Sequence, residues 1–255
     1  MSKYLKKFEN HTQYESYTAD TANFIKPNVS LCVNENEVHY NPSSPTPVET
    51  MVVAKFNVGD TDNPTQICYL TRCFSVMEID GVVYQNVVSE YTFDTVGEHT
   101  VKYTLTDPTS IGNLAFSDCA DLTSIDIPNS VTSIGDNAFY GCGSLKRLNS
   151  DVDGVFNIPN GVTSIGEYAF YNCYSFTSCN IGSGVTSIGD SAFYNNSSLD
   201  SVTIMATTPP SICSDYCNFG GDMSTPTIYV PLASVEAYKV ASGWSNYDSY
   251  IEPTS

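Results

Sequence analysis

A nine-residue block recurs in the middle of the chain and sets the order of apolar and polar positions there. Successive copies start 23, 31 and 23 residues apart, so the middle step equals one 23-residue unit plus eight extra residues, Ser150–Asn157. Repetition at such a period is typical of solenoids, in which each repeat packs only on its neighbours. The four copies are Ile111–Cys119, Ile134–Cys142, Ile165–Cys173 and Ile188–Asn196.

Apolar residues between the blocks follow one another at spacings of three, two, four and three positions. This series fits neither a helix nor a long strand, but it fits a coil that turns successive apolar residues inward. The Ile125-x-Ile127 pair predicts a short strand, which Pro128 ends. We expect Gly135 and its two counterparts to allow a tight turn before a buried Ala-Phe pair. In the first copy the apolar positions are Leu122, Ile125, Ile127, Val131 and Ile134.

The consensus L-x-x-I-x-I-P-x-x-V-x-x-I-G-x-x-A-F-x-x-C resembles the BspA-type leucine-rich repeat, also called the Treponema pallidum type. The resemblance covers about ninety residues in four near-copies. It implies a curved solenoid, an occurrence on bacterial surface proteins that adhere to host proteins or other cells, and no catalytic residues. We therefore expect residues 109–206 to form a short solenoid that binds a partner or has a structural role.

One repeat position carries a column of cysteines that ends in an asparagine. Equivalent positions stack in a solenoid, so small and weakly polar side chains here predict an interior ladder that contacts backbone groups. A metal or redox site is the alternative. The column consists of Cys119, Cys142, Cys173 and Asn196.

A second column carries tyrosines directly after the buried phenylalanine, at Tyr140, Tyr171 and Tyr194, with Ser117 in the first copy. If the phenylalanine points inward, the next residue points outward. A line of exposed tyrosines can stack on sugars or contact a protein partner. The alternative is a surface ladder that only stabilises neighbouring coils.

The segments on either side of the repeats predict separate units. Residues 51–108 alternate with a period of two, contain a two-residue Asp80-Gly81 turn, and predict a small β-sandwich. Their Tyr91–Asp107 stretch resembles the closing strands of PKD and related Ig-like domains. Residues 207–255 predict a C-terminal cap with a last strand, a short helix and Trp244 as an anchor. The expected fold is therefore mainly β, with a solenoid, an Ig/PKD-like β-sandwich and an irregular N-terminal segment.

That N-terminal segment, residues 1–50, is polar, has no sustained periodicity, and is expected to order only against a partner. Its opening and its Lys26–Pro42 region resemble amino-terminal segments of virion proteins of phages that infect gut Bacteroidales. We therefore predict that it docks onto other virion structural proteins. The candidate docking residues are Lys3, Tyr4, Lys6, Lys7 and Phe8.

Composition narrows the choice of partners. The formal net charge is −18, which repels phosphate backbones and anionic membranes, so neither a nucleic acid nor a membrane is expected as partner. No apolar stretch is long enough to span a bilayer, and no apolar region follows the basic start, so we expect no secretory signal. The nine cysteines form no CxxC pair. Pairing of Cys68 with Cys73, or of Cys213 with Cys217, stays open.

No catalytic motif stands out, so we expect neither an enzyme nor a cofactor. The three histidines, His11, His39 and His99, all lie outside the repeats and are interpreted as surface or packing residues. Two acidic loops, 60–63 and 151–154, are interpreted as solvated turns, with Ca²⁺ binding as the alternative.

Two functional hypotheses follow. The first is a phage virion protein, either a capsid decoration or a tail fibre, in which residues 1–50 dock on the particle and the solenoid adheres to host, mucin or glycan. The second is a bacterial cell-surface adhesin of the BspA type, which needs an export signal. The oligomeric state is open under both hypotheses.

Overall fold

A computed structural model describes residues 30–34, 37–41, 51–212, 219–220 and 225–254. The fold is mainly β, and the predicted solenoid is confirmed by a large sheet with parallel strands. One short α-helix, α1 (Val235–Val240), and three 3₁₀ segments (Thr71–Cys73, Leu232–Ser234 and Trp244–Tyr250) complete the described helices. The strands are β1 (Ser30–Asn34), β2 (Glu37–Asn41), β3 (Met51–Val58), β4 (Thr65–Gln66), β5 (Phe74–Ile79), β6 (Val82–Tyr84), β7 (Glu90–Tyr91), β8 (Gly97–Leu105), β9 (Ser110–Ile111), β10 (Leu122–Asp126), β11 (Ser133–Ile134), β12 (Arg147–Leu148), β13 (Val155–Ile158), β14 (Ser164–Ile165), β15 (Ser178–Ile181), β16 (Ser187–Ile188), β17 (Phe193–Tyr194), β18 (Ser201–Ile204), β19 (Phe219–Gly220), β20 (Thr227–Val230) and β21 (Ile251–Pro253).

Two sheets run along the solenoid. The main sheet has eleven strands in the order β6-β5-β8-β3-β10-β12-β13-β15-β18-β20-β21, and its strands are parallel from β10 onward. The second sheet contains β9, β11, β14 and β16, one from each repeat, all parallel and in register. Each coil therefore contributes one strand to each sheet and returns through turns, as the spacing of its apolar residues predicts.

The interior between the sheets is a set of columns in which identical residues stack. The phenylalanines of the four blocks are fully buried, and successive ring centroids lie 5.5, 5.1 and 5.2 Å apart with interplanar angles of 4°, 7° and 12°. Phe219 of β19 extends this column by one ring at 5.6 Å. A buried alanine precedes each repeat phenylalanine, which leaves room for the large ring. The four repeat rings are Phe116, Phe139, Phe170 and Phe193.

The repeat glycines serve a different purpose from the predicted tight turn. Gly135, Gly166 and Gly189 are absent from the residues with positive φ. A Cβ atom at these positions would lie 2.5–2.6 Å from a backbone nitrogen of the preceding coil. The glycines are therefore required because neighbouring coils approach closely there.

The tight turns of each coil lie at two other positions, whose residues have left-handed backbones. The first position lies just before the Ala-Phe pair and the second just before the cysteine column. A side chain with a Cβ is strained in this region, except that asparagine and aspartate tolerate it better. The first set is Leu114, Asn137, Tyr168 and Ser191, and the second is Asp118, Gly141, Asn172 and Asn195, with φ between 54° and 72°.

The eight extra residues of the second repeat form an additional strand instead of an external loop. Leu148 of β12 pairs with Ile125 on one side and with Phe156 of β13 on the other, and Phe156 pairs in turn with Cys179. The main sheet thereby gains a strand that has no counterpart in the second sheet. Phe156 fills the added space, since its ring stacks on Phe176 at 3.8 Å.

The predicted separate Ig/PKD-like β-sandwich over residues 51–108 is not what the structure shows. Strands β3, β8, β5 and β6 instead continue the main sheet as antiparallel neighbours of β10. Phe74 and Tyr103 pack on Phe116, with ring centroids 5.3 and 5.4 Å away, so this segment shares the solenoid core. Alternating apolar residues fit any half-buried sheet, and here they cover the open end of the first coil.

The opposite end of the solenoid is closed by the C-terminal residues. Strand β20 lies beside β18, and β21 is added at the edge of the main sheet. The fully buried Trp244 donates a 2.6 Å hydrogen bond from Nε1 to the carbonyl of Pro210, and its ring packs near Phe219 at 5.8 Å. Trp244 therefore joins the cap both to the end of the repeats and to the phenylalanine column.

The N-terminal segment is not wholly irregular, contrary to the sequence-based expectation. Strands β1 and β2 pair as an antiparallel hairpin that forms its own two-stranded sheet. Leu31 lies opposite Tyr40 and Val33 opposite Val38, so apolar residues are paired across the two strands. The short period-two alternation of each strand is the signal that a search for longer periodicity overlooks.

The left-handed positions give a stability prediction. Leu114→Asn should raise the free energy of unfolding by about 1 kcal/mol, because asparagine adopts this backbone with less strain than leucine. Thermal unfolding should show an increase in Tm of about 2–4 °C. The reverse change at the equivalent position, Asn137→Leu, is the matched control and should lower Tm. An unchanged or lower Tm for Leu114→Asn would contradict the strain argument.

Candidate binding site

The structure places the whole cysteine column inside the solenoid, and each of its four side chains is fully buried. Cys142 Sγ donates to the carbonyl of Phe116 at 3.0 Å, and Cys173 Sγ donates to that of Phe139 at 3.2 Å. Each thiol therefore reaches back to the phenylalanine of the preceding coil. The column joins neighbouring coils at the turn that follows their stacked rings.

Asn196 performs the same task in the fourth coil with more hydrogen bonds. Its Nδ2 atom donates to the carbonyls of Phe170 at 3.0 Å and Phe193 at 2.9 Å. Its Oδ1 atom accepts from the backbone nitrogen of Cys173 at 2.7 Å. The amide thus satisfies three backbone groups that have no water available to them.

The buried thiols are poorly suited to nucleophilic or redox chemistry. Burial raises the pKa of Cys119, Cys142 and Cys173 well above that of an ordinary thiol, so the reactive thiolate is scarce at neutral pH. Cys68 and Cys73 are free thiols, and burial raises the pKa of Cys68 to about 12. These properties favour packing and hydrogen bonding as the role of the column.

The tyrosine column directly follows the stacked phenylalanines in its three coils, and its side chains are half-buried. The rings of Tyr140 and Tyr171 stack with centroids 5.2 Å apart and an interplanar angle of 2°. The rings of Tyr171 and Tyr194 stack at 5.9 Å and 28°. Ser117, their counterpart in the first coil, is only 3% exposed. The three tyrosines, which we call the tyrosine ladder, therefore present one ordered row of aromatic rings.

Two further tyrosines enlarge this surface and were missed at the sequence level. Tyr168 is 39% exposed and meets Tyr171 edge-on at 5.6 Å. Tyr174 is 43% exposed and lies against Gly143 of the preceding coil. Neither belongs to a column of tyrosines, because the other coils carry different residues at these positions. The composition of the third repeat alone, with three tyrosines in seven residues from Tyr168 to Tyr174, was the available signal.

Charged side chains gather elsewhere, on the outward face of the main sheet near the first coils. Lys55 pairs with Glu98 at 2.8 Å and Lys102 pairs with Glu78 at 2.7 Å. The insertion is held to the same face, where Asp153 pairs with Lys146 at 3.1 Å and with Arg147 at 3.3 Å. Each of these four basic residues faces a carboxylate, so among the described residues their charges are paired and not open to an anionic partner.

The two acidic loops are held by their own hydrogen bonds. Asp60 accepts from the backbone nitrogen of Asp62 at 2.7 Å and from the Asn63 amide at 2.5 Å, and these bonds lower the pKa of its carboxyl. Asp153 is engaged with the two basic residues named above. Among the described residues, no three His, Cys, Asp or Glu side chains are grouped to hold a metal ion.

His99, in strand β8, contacts the Asp80-Gly81 hairpin turn between β5 and β6. Its Nδ1 atom lies 2.7 Å from a carboxylate oxygen of Asp80, and its Nε2 atom lies 2.8 Å from the carbonyl of Thr95. The Asp80 carboxylate also accepts from the backbone nitrogen of Thr100 at 2.9 Å. Asp80 and Gly81 both have positive φ, as a two-residue hairpin turn requires. His99 therefore stabilises the Asp80-Gly81 hairpin turn through these hydrogen bonds.

Several predicted sites lie outside the described residues. These are the docking residues Lys3, Tyr4, Lys6, Lys7 and Phe8, the histidine His11, and the pair Cys213 and Cys217. Within the described ranges, none of the helices is long and apolar enough to cross a membrane.

Comparison with known proteins addresses the repeats directly. Residues 86–208 match the BspA type leucine rich repeat region, in six copies. This BspA-type region includes all four blocks found in the sequence and begins before the first of them. No curated protein matches the chain.

A solved leucine-rich repeat protein from Bacteroides ovatus ATCC 8483 also resembles the chain. The two are 27% identical, the match covers 55% of this chain and 45% of the other, and the TM-score is 0.31. The chain therefore spans less than half the length of that protein.

The bonding of Asn196 predicts a large cost for its removal. Asn196→Ala should lower the free energy of unfolding by about 2–4 kcal/mol, because it leaves buried backbone groups without partners. Asn196→Cys should cost less, since the other coils show that a thiol can reach the carbonyl of the preceding phenylalanine. Denaturant unfolding measures both changes. Equal losses for the two variants would show that the hydrogen bonds of the column are unimportant.

The His99 cluster predicts a pH-dependent stability. Burial by itself lowers the pKa of His99, but the hydrogen bonds to Asp80 and Thr95 outweigh it and raise the pKa above its usual 6.5. A raised folded-state pKa stabilises the protein fully below the unfolded-state pKa, and this stabilisation disappears as the pH rises through the folded-state pKa.

His99→Gln should therefore be most destabilised, relative to the native chain, below about pH 6, and the difference should shrink towards pH 8. Chemical unfolding at several pH values measures this difference. Asp80→Asn keeps a residue that tolerates the turn, and should give the same pH profile. A difference that grows with rising pH would contradict the assignment.

Proposed function

We propose that this protein is a non-enzymatic binding protein of the adhesion type, whose solenoid presents the tyrosine ladder to a host protein or glycan. The observation that carries the proposal is the ordered row of stacked, half-buried rings of Tyr140, Tyr171 and Tyr194. Adhesion is also the role that BspA-type repeats imply, because such repeats occur on bacterial surface proteins that adhere to host proteins or cells.

The physical properties of the ladder suit recognition. A tyrosine ring offers an apolar face to the C–H face of a sugar or to an apolar side chain, while its hydroxyl can form a hydrogen bond. Stacking on neighbouring rings already restricts the side chains, so ligand binding costs little additional conformational entropy. Tyr168 and Tyr174, which are more exposed, widen the surface around Tyr171.

The proposal also covers where the protein is located. We assign the chain to a phage virion, where residues 1–50 dock onto structural proteins and the solenoid points outward. A bacterial cell surface is the alternative. Mass spectrometry of purified virions decides between them, since the virion assignment requires the chain in the particles. An upstream reading frame that encodes an export signal would favour the cell surface.

The ladder gives a direct binding prediction. In a solid-phase assay of the full chain on immobilised mucin glycoprotein, Tyr171→Ala should weaken binding about tenfold, which corresponds to about 1.4 kcal/mol. The reason is that Tyr171 is the central ring and contacts Tyr140, Tyr168 and Tyr194.

Tyr250→Ala is the matched control, because Tyr250 is 39% exposed in the C-terminal cap and lies outside the repeats. It should leave binding unchanged. Circular dichroism and Tm should be native-like for both variants. If Tyr171→Ala binds mucin as well as the control does, the tyrosine ladder is not the adhesive surface.

A further inference from the structure

We propose that a groove lined by asparagines, at the carboxyl ends of the main-sheet strands, is a second binding site and that it takes an uncharged oligosaccharide. The groove has a volume of about 520 Å³, which is within the range of ligand sites. It lies along the turns that follow β10, β13, β15 and β18, away from the residues of the tyrosine ladder. Half of its ten lining residues are asparagines: Asn129, Asn149, Asn157, Asn160 and Asn180.

The eight-residue insertion creates this groove. Asn149 immediately precedes the inserted segment and Asn157 is its last residue, and Asn149 has a left-handed backbone with φ of 47°. Asn149 Oδ1 accepts from the backbone nitrogen of Ile127 at 2.7 Å, and its carbonyl accepts from Asn157 Nδ2 at 3.0 Å. Asn157 Oδ1 then accepts from Asn180 Nδ2 at 2.8 Å. These bonds hold the amides in place before any ligand arrives.

The same amides keep hydrogen-bonding capacity for a ligand. A side-chain amide has two N–H donors and an oxygen that can accept twice. Within the described part of the chain, no hydrogen bond involves the side chain of Asn129 or the Oδ1 atom of Asn180. Donors and acceptors therefore lie side by side along the groove, which is the arrangement that sugar hydroxyls can satisfy because each hydroxyl both donates and accepts.

The side chains that line the groove favour an uncharged ligand. None of the ten lining residues is an aspartate, glutamate, lysine or arginine, although the chain has a net charge of −18. A charged ligand would lose its hydration without gaining an ion pair. Pro159 and the 49% exposed Met205 supply apolar contacts for the C–H face of a sugar ring.

An extended peptide is less suited to this groove. Peptides that add to a sheet need unpaired backbone groups at a strand edge. Two backbone nitrogens of the turns are already engaged, since Gly182 donates to the carbonyl of Ile158 at 3.1 Å and Met205 donates to that of Ile181 at 3.0 Å. The lining instead offers mainly side-chain amides, since five of its ten residues are asparagines.

The test is an array that carries neutral oligosaccharides beside their sialylated and sulfated counterparts, probed with the full chain. Asn129→Asp and Asn180→Ala should each reduce binding to the neutral oligosaccharides at least tenfold. Asn129 is exposed and makes no hydrogen bond in the described structure, so Asn129→Asp is expected to fold even if Asn180→Ala does not. Tyr250→Ala, which lies outside both surfaces, is the control and should keep neutral-oligosaccharide binding. Tyr171→Ala is measured beside it to separate the groove from the tyrosine ladder.

The outcomes separate this site from the tyrosine ladder. Loss of neutral-oligosaccharide binding in the groove variants alone supports the proposal, whatever the ladder binds. Loss in Tyr171→Ala alone supports the ladder and overturns the groove. Absence of any neutral oligosaccharide among the bound spots, or capture of only acidic glycans or of peptides on a parallel peptide array, also overturns it.

Discussion

The close approach of successive coils is the constraint on which the rest of the structure depends. Phenylalanine rings stack at 5.1–5.6 Å, which leaves no space for a Cβ where Gly135 and Gly166 face the preceding coil. At this separation a thiol or an amide can reach a carbonyl of the neighbouring coil, as Cys142 and Asn196 do. The hydrogen bonds of the interior are thus a consequence of how near the backbones lie.

The insertion in the second repeat shows that the close approach of successive coils can be relaxed on the main-sheet side alone. The rings of Phe139 and Phe170 remain 5.1 Å apart although eight more residues separate them in sequence. The extra strand β13 enters the main sheet alone, and Phe156 fills the space behind it. The stacking of the repeat phenylalanines is therefore kept, while the outside gains Asn149 after β12 and Asn157 in β13.

The repeats, the buried columns and the position of the tyrosine ladder could all be derived from the sequence, because a residue that recurs at a fixed period must recur at a fixed place on the coil. That residues 51–108 join the main sheet could not be derived from the sequence. Alternation shows which face of a strand is buried, but it does not show which strand lies next to it. Tyr168 was missed for a related reason: it occupies a left-handed position that the other coils fill with Leu114, Asn137 and Ser191. The groove depends on how the inserted strand pairs, and no local pattern encodes that.

The caps determine the length of the tyrosine ladder. In the first coil the equivalent residue is Ser117, which is 3% exposed, and the backbone of Tyr69 bonds to the neighbouring Ala115 at 2.9 Å. A tyrosine side chain at position 117 would have to enter the space occupied by residues 51–108, which cover the first coil. At the other end Tyr194 pairs in register with Gly220, whose positive φ of 80° disfavours any larger residue. The ladder thus has three rings because both capping segments exclude a fourth, so a longer adhesive row would require additional coils between the caps and not only further substitutions on the existing ones.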